Sequence, residues 1–212
     1  MARWEPGTRA RLQAAALELY ATRGFEQTTA EQIAQAVGLT ERTFFRHFSD
    51  KREVLFDGQE AFLRAFLDGL DAAPPGSSPL EAVASALATA AALFPDERRA
   101  HSRLRQTVID AEPALQEREV HKRAILAATV ARALRDRGVD EPAATLAAES
   151  GATVFWVAFA QWIAAAETRS LAELTADVLD RLRGLAVAPV VTRGVTRGVV
   201  RGVVPGAVPG GS

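Results

Sequence analysis

The sequence predicts an all-α protein: an N-terminal three-helix head on a larger helical body, about nine helices in all. Three observations predict this. Ala, Leu, Glu and Arg dominate, and apolar residues recur at three- and four-residue spacing with no lasting strand alternation. Helix starts are legible, because Thr29 with Gln32, Ser78 with Glu81 and Ser170 with Glu173 all fit capping boxes. Gly38, the loop AAPPGSSP at 72–79, Pro113 and Gly138 then punctuate the junctions.

In chain order, the first helix is expected over 8–23 from its apolar spacing. The second, 29–37, starts at the Thr29 cap and ends where Gly38 supplies a left-handed residue. The third, 40–48, is capped by Thr40. Asp50 with Glu53 imitates a cap and opens a long helix over 50–71, which the proline-rich loop ends. Ser78 with Pro79 at the first helical position starts a helix over 79–93. Helices over 96–111, 113–137, 142–167 and 170–187 follow. The domains expected are a head at 1–50, a body at 51–188, and a Gly/Val/Pro/Arg tail at 189–212, where TRGV occurs twice, read as disordered or, alternatively, as a basic arm that touches DNA phosphates or another acidic surface.

A chain of 212 residues suits a small module joined to a larger one. It has no cysteine, which excludes a disulfide framework and a cysteine-ligated zinc site. The start MARWEPGTRARLQ lacks the apolar stretch of a secretory signal, so a cytoplasmic protein is expected. The most apolar run, Ala152 to Ala166, is interrupted by Gln161 and falls short of the ~20 residues of a membrane span, so no membrane partner is expected. His47, His101 and His121 are scattered, and no phosphate loop or nucleophile elbow occurs; no enzyme, metal or cofactor is expected. The net charge of −1 advertises no nucleic-acid partner, and the first 55 residues are themselves nearly balanced. Any DNA contact must come from where the charges sit.

The stretch LTERTFFRHFSDKREVLF, residues 39–56, mixes phenylalanines with basic residues. On a helix turning about 100° per residue, Phe44 and Phe48 share one face while Arg42, Thr43 and Arg46 gather opposite, with Phe45 and His47 flanking. In the helix before it, Ile33 and Val37 point inward, and Ala30 and Ala34 permit close approach. A capped helix, a glycine turn and a second helix projecting arginines make a helix-turn-helix, whose second helix is sized for the DNA major groove.

Residues 22–56, TRGFEQTTAEQIAQAVGLTERTFFRHFSDKREVLF, resemble the DNA-binding region of the tetracycline-repressor (TetR) family of bacterial transcription regulators. The shared features are R-G-F, the pair Thr28–Thr29, I-A-x-x-V-G-L, Thr43, the aromatic FFRHF and the lysine after it. The resemblance implies that Arg42, Thr43 and Arg46 face base edges, and arginine suits this because its fork pairs with both acceptors of guanine. Thr28, Thr29, His47 and Lys51 match positions that grip the sugar–phosphate backbone. Family members usually carry tyrosine where this chain has Phe45 and His47. Phe45 has no phenol to donate, so His47 is expected to carry more of the backbone contact.

In the body, Leu171, Leu174, Val178, Leu182 and Leu185 form a stripe on the last helix, and ATVFWVAFAQWIAAA before it is apolar all round. One chain is not expected to cover both, whereas pairing with a second copy in a four-helix bundle would. The resemblance also implies a homodimer on a palindromic operator, repression as the commoner habit, and a pocket for a small-molecule effector. Pocket candidates are Phe62, Phe66, Phe94, Leu104, Val108, Phe155, Trp156, Phe159, Gln161 and Trp162, whose apolar bias suggests a hydrophobic ligand. A ligand that wedges the body is expected to tilt the 50–71 helix and change the separation of the heads. The rival reading is a helical ligand-binding or scaffold protein without DNA-binding activity; Arg42, Arg46 and Lys51 argue against it.

Overall fold

The computed structural model describes residues 7–187. Among them are nine α-helices, no strand and two short 3-10 turns. The helices are α1 (Thr8–Arg23), α2 (Ala30–Ala36), α3 (Glu41–His47), α4 (Gln59–Asp71), α5 (Pro79–Ala91), α6 (Arg99–Asp110), α7 (Pro113–Asp136), α8 (Ala143–Trp162) and α9 (Leu171–Val187). The 3-10 turns are Glu53–Phe56 and Asp96–Arg98. The tail expected at 189–212 lies outside the described residues.

The capping signals act where the sequence puts them. Thr29 Oγ1 accepts from the Gln32 N–H at 3.2 Å while Gln32 Oε1 accepts from the Thr29 N–H at 3.0 Å. Ser78 with Glu81 and Ser170 with Glu173 repeat the reciprocal pattern. Each box satisfies N–H groups that the first turn leaves without an internal partner.

The single helix expected over 50–71 is a correction. Asp50 Oδ1 accepts from the N–H groups of Arg52 and Glu53 at 2.7 and 3.1 Å, capping only a turn. After Phe56 the chain extends at Asp57, takes a left-handed conformation at Gly58 (φ 87°), and only then enters α4. A positive φ interrupts the helical period, and glycine alone adopts it without steric cost. The head and α4 are therefore not one rod.

Two apolar clusters organise the molecule. The first joins Leu12, Ala16, Leu17 and Tyr20 of α1 to Ile33 of α2, to Phe44 and Phe48, and to Val54, Leu55 and Phe56. It runs past residue 50, where the head was expected to end, and includes Val108 and Ile109 of α6 and Leu115 of α7. The second packs α4, α5, α7, α8 and α9 around Phe66, Phe155 and Trp162. Among the described residues α8 is the one helix long and apolar enough to cross a membrane, but half of it is buried inside the protein. That is how a core helix behaves.

Helices α4 and α5 touch closely at Gly69, where a Cβ would lie 2.5 Å from Ala86 Cα and 2.8 Å from the Ser85 carbonyl oxygen. Backbone atoms cannot step aside as a flexible side chain can. Gly69→Ala is expected to destabilise by about 1–2 kcal/mol net, overpacking of ~1–3 kcal/mol outweighing alanine's better helix propensity. Thermal denaturation reads this as a midpoint lowered by several degrees; an unchanged or raised midpoint would mean that the two helices separate freely.

The α9 stripe is a second correction. Leu171 and Leu174 are fully enclosed and Val178 nearly so, all three packed within the chain's own body cluster, with Leu182 against its edge. Only Leu185 is exposed, at 77%. Apolar periodicity reports that a face needs cover, and here the chain's own α5 and α8 supply it for most of the stripe. The uncovered apolar side belongs to α8, where Leu146 and Val157 lie eleven residues apart on one face with exposed Thr153 and Ala160.

Candidate nucleic-acid interface and internal cavity

Helix α3 is only seven residues long and could not persist alone. Thr40 caps it, its Oγ1 accepting from the Thr43 N–H, and Phe44 and Phe48 pin it to the head core. The turn before it closes through Gly38 (φ 71°), with the Leu39 N–H donating to the Ala34 carbonyl at 2.9 Å. Arg11 of α1 donates to the Val37 carbonyl at 2.6 Å and braces the same turn. On the opposite side of α3, Arg42 and Arg46 are exposed and Thr43 is half-buried. Phe45 is 50% exposed, its ring edge-on to Phe44. The helix thus offers two guanidinium groups without a partner among the described residues, and an open aromatic face, on a pinned mount.

The four residues expected at the sugar–phosphate backbone divide. Thr29 is exposed, with its hydroxyl engaged in the capping box. Thr28 is fully buried and its hydroxyl donates to the Gly24 carbonyl at 2.8 Å, so its side chain is a structural tie and does not reach an outside phosphate. Lys51 is half-buried. Its ammonium donates to the carbonyls of Phe25 and Thr28 at 2.9 and 3.2 Å and sits 4.1 Å from the centre of the Phe25 ring. It too holds the head together in this structure. His47 is half-buried with Nε2 enclosed and without a partner among the described residues, so Nδ1 is the ring nitrogen left for an outside acceptor.

Between head and body lies a cavity of about 520 Å³. Its walls come from α1 (Gln13, Leu17), the 54–58 segment, α4, α6, α7 and α8. Of the residues expected there, Phe62, Phe94, Trp156 and Phe159 line it, in edge-to-face and tilted contacts. Phe66 and Phe155 sit behind that wall as plain core. Trp162 is buried with its indole N–H donating to Asp96 Oδ1 at 3.3 Å. Val108 belongs to the head cluster, Leu104 is largely exposed, and Gln161 is half-buried away from the cavity.

The opposite wall is polar. Arg105 Nε donates to the Leu55 carbonyl at 2.7 Å, and its Nη2 pairs with buried Glu119 at 3.1 Å. Lys122 donates to the Phe56 carbonyl at 2.6 Å, and the centre of the Phe56 ring lies 5.2 Å from Arg105 and 4.5 Å from Lys122. Burial, and then the neighbouring Arg105, pull the Lys122 pKa down to about 7. Partial burial, with Arg98 and Arg105 nearby, holds His101 below its ordinary value. A bidentate pair from Arg118 to Glu53, at 2.7 and 3.1 Å, closes the outside of this junction.

Glu119 and Lys122 were not among the expected site residues, though a signal for them existed. Leu115, Glu119, Lys122 and Leu126 follow one another at helical spacing on α7, so two charges interrupt an inward-facing apolar stripe.

A sequence model described as bacterial regulatory proteins, tetR family, matches residues 12–57. The chain is 48% identical over 79 residues to the HTH-type transcriptional regulator TcmR of Streptomyces glaucescens, covering 37% of this chain and 35% of that one. It is 32% identical over 104 residues to a protein named as a mycofactocin biosynthesis transcriptional regulator, MftR, of Mycobacterium tuberculosis, covering 48% and 50%. The chain thus spans half or less of the length of these curated relatives. A structure of a transcriptional regulator from Pseudomonas aeruginosa PAO1 shares the fold with a TM-score of 0.58 at 16% identity, over 88% of this chain and 94% of that one. The segment that mounts α3, residues 12–57, is thus similar to the tetR family of bacterial regulatory proteins.

Proposed function

We propose that the protein is a DNA-binding transcriptional repressor that holds a palindromic operator as a homodimer and is released by a small hydrophobic effector in the cavity. The observation that carries this is the mount of α3: Phe44 and Phe48 buried beneath it, Arg42 and Arg46 exposed above it. A guanidinium fork held outward on a short, pinned helix suits the paired acceptors of a guanine edge. With a net charge of −1, affinity has to come from this placement and from two heads acting together. The outer side of α8, with Leu146, Thr153, Val157 and Ala160, is the surface we assign to the second copy. Such a protein would work in the cytoplasm, where its operator is.

The cavity supports the effector reading because its walls belong to both parts of the molecule. Arg105 and Lys122 hold the carbonyls of Leu55 and Phe56, the last residues of the 3-10 turn that precedes the break at Asp57–Gly58. A ligand at this wall acts on the connection to the head directly, without tilting one continuous helix. It shifts the heads only if it binds the two conformations with different affinity.

Selection of bound duplexes from a random pool tests the reading. An inverted repeat with half-sites about 10 base pairs apart, or a multiple of that, is expected, with affinity falling steeply as salt rises. Sedimentation should give a dimer that Val157→Glu converts to monomer. Absence of any salt-dependent DNA binding would leave the scaffold reading instead.

A further inference from the structure

We propose that the cavity takes an amphipathic carboxylic acid, its apolar body among Phe62, Phe94, Trp156 and Phe159 and its carboxylate at Lys122, in competition with the Phe56 carbonyl. This names the ligand class of the effector site and rests on that reading of the cavity.

Counter-ions single out Lys122. Among the ionised groups lining the cavity, Asp57 is paired with Arg9, and Glu119 with Arg105. Glu97 and Arg98 are exposed. Of the residues lining the cavity, Lys122 alone is a half-buried cation that, among the described residues, makes no ion pair with a carboxylate. Its partners are one neutral carbonyl at 2.6 Å and the face of one ring. A desolvated ammonium without an opposite charge is costly, and an anion placed beside it recovers part of that cost. A hydrogen bond from a cation to a carboxylate is also stronger than one to a neutral carbonyl, so an incoming acid outcompetes Phe56.

Position supports the same conclusion. Lys122 occupies a place in the α7 stripe that Leu115 and Leu126 fill with apolar side chains, so its charge is directed inward among residues that otherwise exclude water. Because Glu119 is balanced by Arg105, the wall is net positive whenever Lys122 is charged. The aromatic wall opposite suits a flat or extended hydrocarbon body, and the volume lies within the range of small-ligand sites.

The depressed pKa of Lys122 adds a proton to the binding step. A carboxylate raises that pKa again, so the bound state holds more protons above pH 7. Acid binding is therefore strongest at or below about pH 7 and weakens as the pH rises. The charged groups facing Lys122 are Arg105, Glu119, Glu53 and Arg118.

Isothermal titration of the full-length protein with matched pairs, 2-naphthoate against 2-naphthamide and decanoate against decanamide, tests the proposal. At least one acid is expected to bind about tenfold or more tighter than its amide at pH 7, the margin between a charged and a neutral hydrogen bond. That preference should shrink at pH 9. It should also fall below about threefold in Lys122→Gln, which keeps a donor for the Phe56 carbonyl, and in Lys122→Met, which keeps the volume. Far-ultraviolet circular dichroism establishes that both variants are folded. Equal binding of acid and amide, or a preference that survives both substitutions, overturns the proposal and leaves the effector cavity standing. Failure of all four compounds to bind overturns the cavity reading and the proposal with it.

Discussion

Phe44→Ala is expected to unfold the reading helix and abolish operator binding while the body stays folded. The ring is fully enclosed, packed 5.5 Å from Phe48 and 5.4 Å from Phe45 between ring centres. Truncating a buried phenylalanine costs about 3–5 kcal/mol through lost transfer energy and the cavity left behind. Helix α3 has too few residues to repay that from its own hydrogen bonds. In a chain of this size such a loss lowers the midpoint of the transition that includes the head by roughly 6–20 °C. Hydrogen exchange locates the effect: amides of 41–48 should lose protection while those of α8 keep it. The neighbouring Phe45→Ala is the control, since half of that ring is already in water and only its edge contact with Phe44 is lost, which costs clearly less than emptying the buried site. If the two variants melt alike, the mount of α3 does not rest on Phe44.

How much of this was legible in the sequence depended on whether the signal was local. Thr29, Ser78 and Ser170 announce helix starts because the capping partner is three residues away, and all three boxes form. The all-α class, the nine helices and the inward direction of Phe44 and Phe48 follow from the same short-range periodicity. Signals that depend on what lies across the interface were not readable. Leu171 and Leu174 look the same in sequence whether a second copy or the chain's own α5 and α8 covers them. Thr28 and Lys51 sit at positions where the family grips phosphate, yet their polar atoms are taken by carbonyls that only the folded head brings near. The break at Gly58 had a visible residue, but a lone glycine in a helical pattern is often tolerated, and only its φ of 87° shows that the helix stops. Glu119 and Lys122 escape notice in the sequence because charges on a helix default to the solvent side.

The double variant Arg42→Ala/Arg46→Ala is expected to lose sequence discrimination without losing the fold. Both side chains are exposed, and neither takes part in an ion pair among the described residues, so no stabilising contact disappears with them. The thermal midpoint should stay within a degree or two. Each guanidinium bidentate to a guanine edge is worth about 1–3 kcal/mol of discrimination, so removing two per head costs about 2–6 kcal/mol, a factor of at least roughly thirty. Fluorescence anisotropy on the selected duplex and on a scrambled one separates the two roles these arginines can have. If they read bases, affinity for the selected site falls to that for the scrambled one, and the slope of log K against log salt barely changes. If they only neutralise phosphates, both duplexes weaken together and the slope shrinks by about one for each phosphate left without its cation. A variant that melts normally and still prefers the selected duplex by the wild-type margin would remove α3 as the reading element. The specificity would then have to come from a surface other than the one Phe44 and Phe48 hold in place.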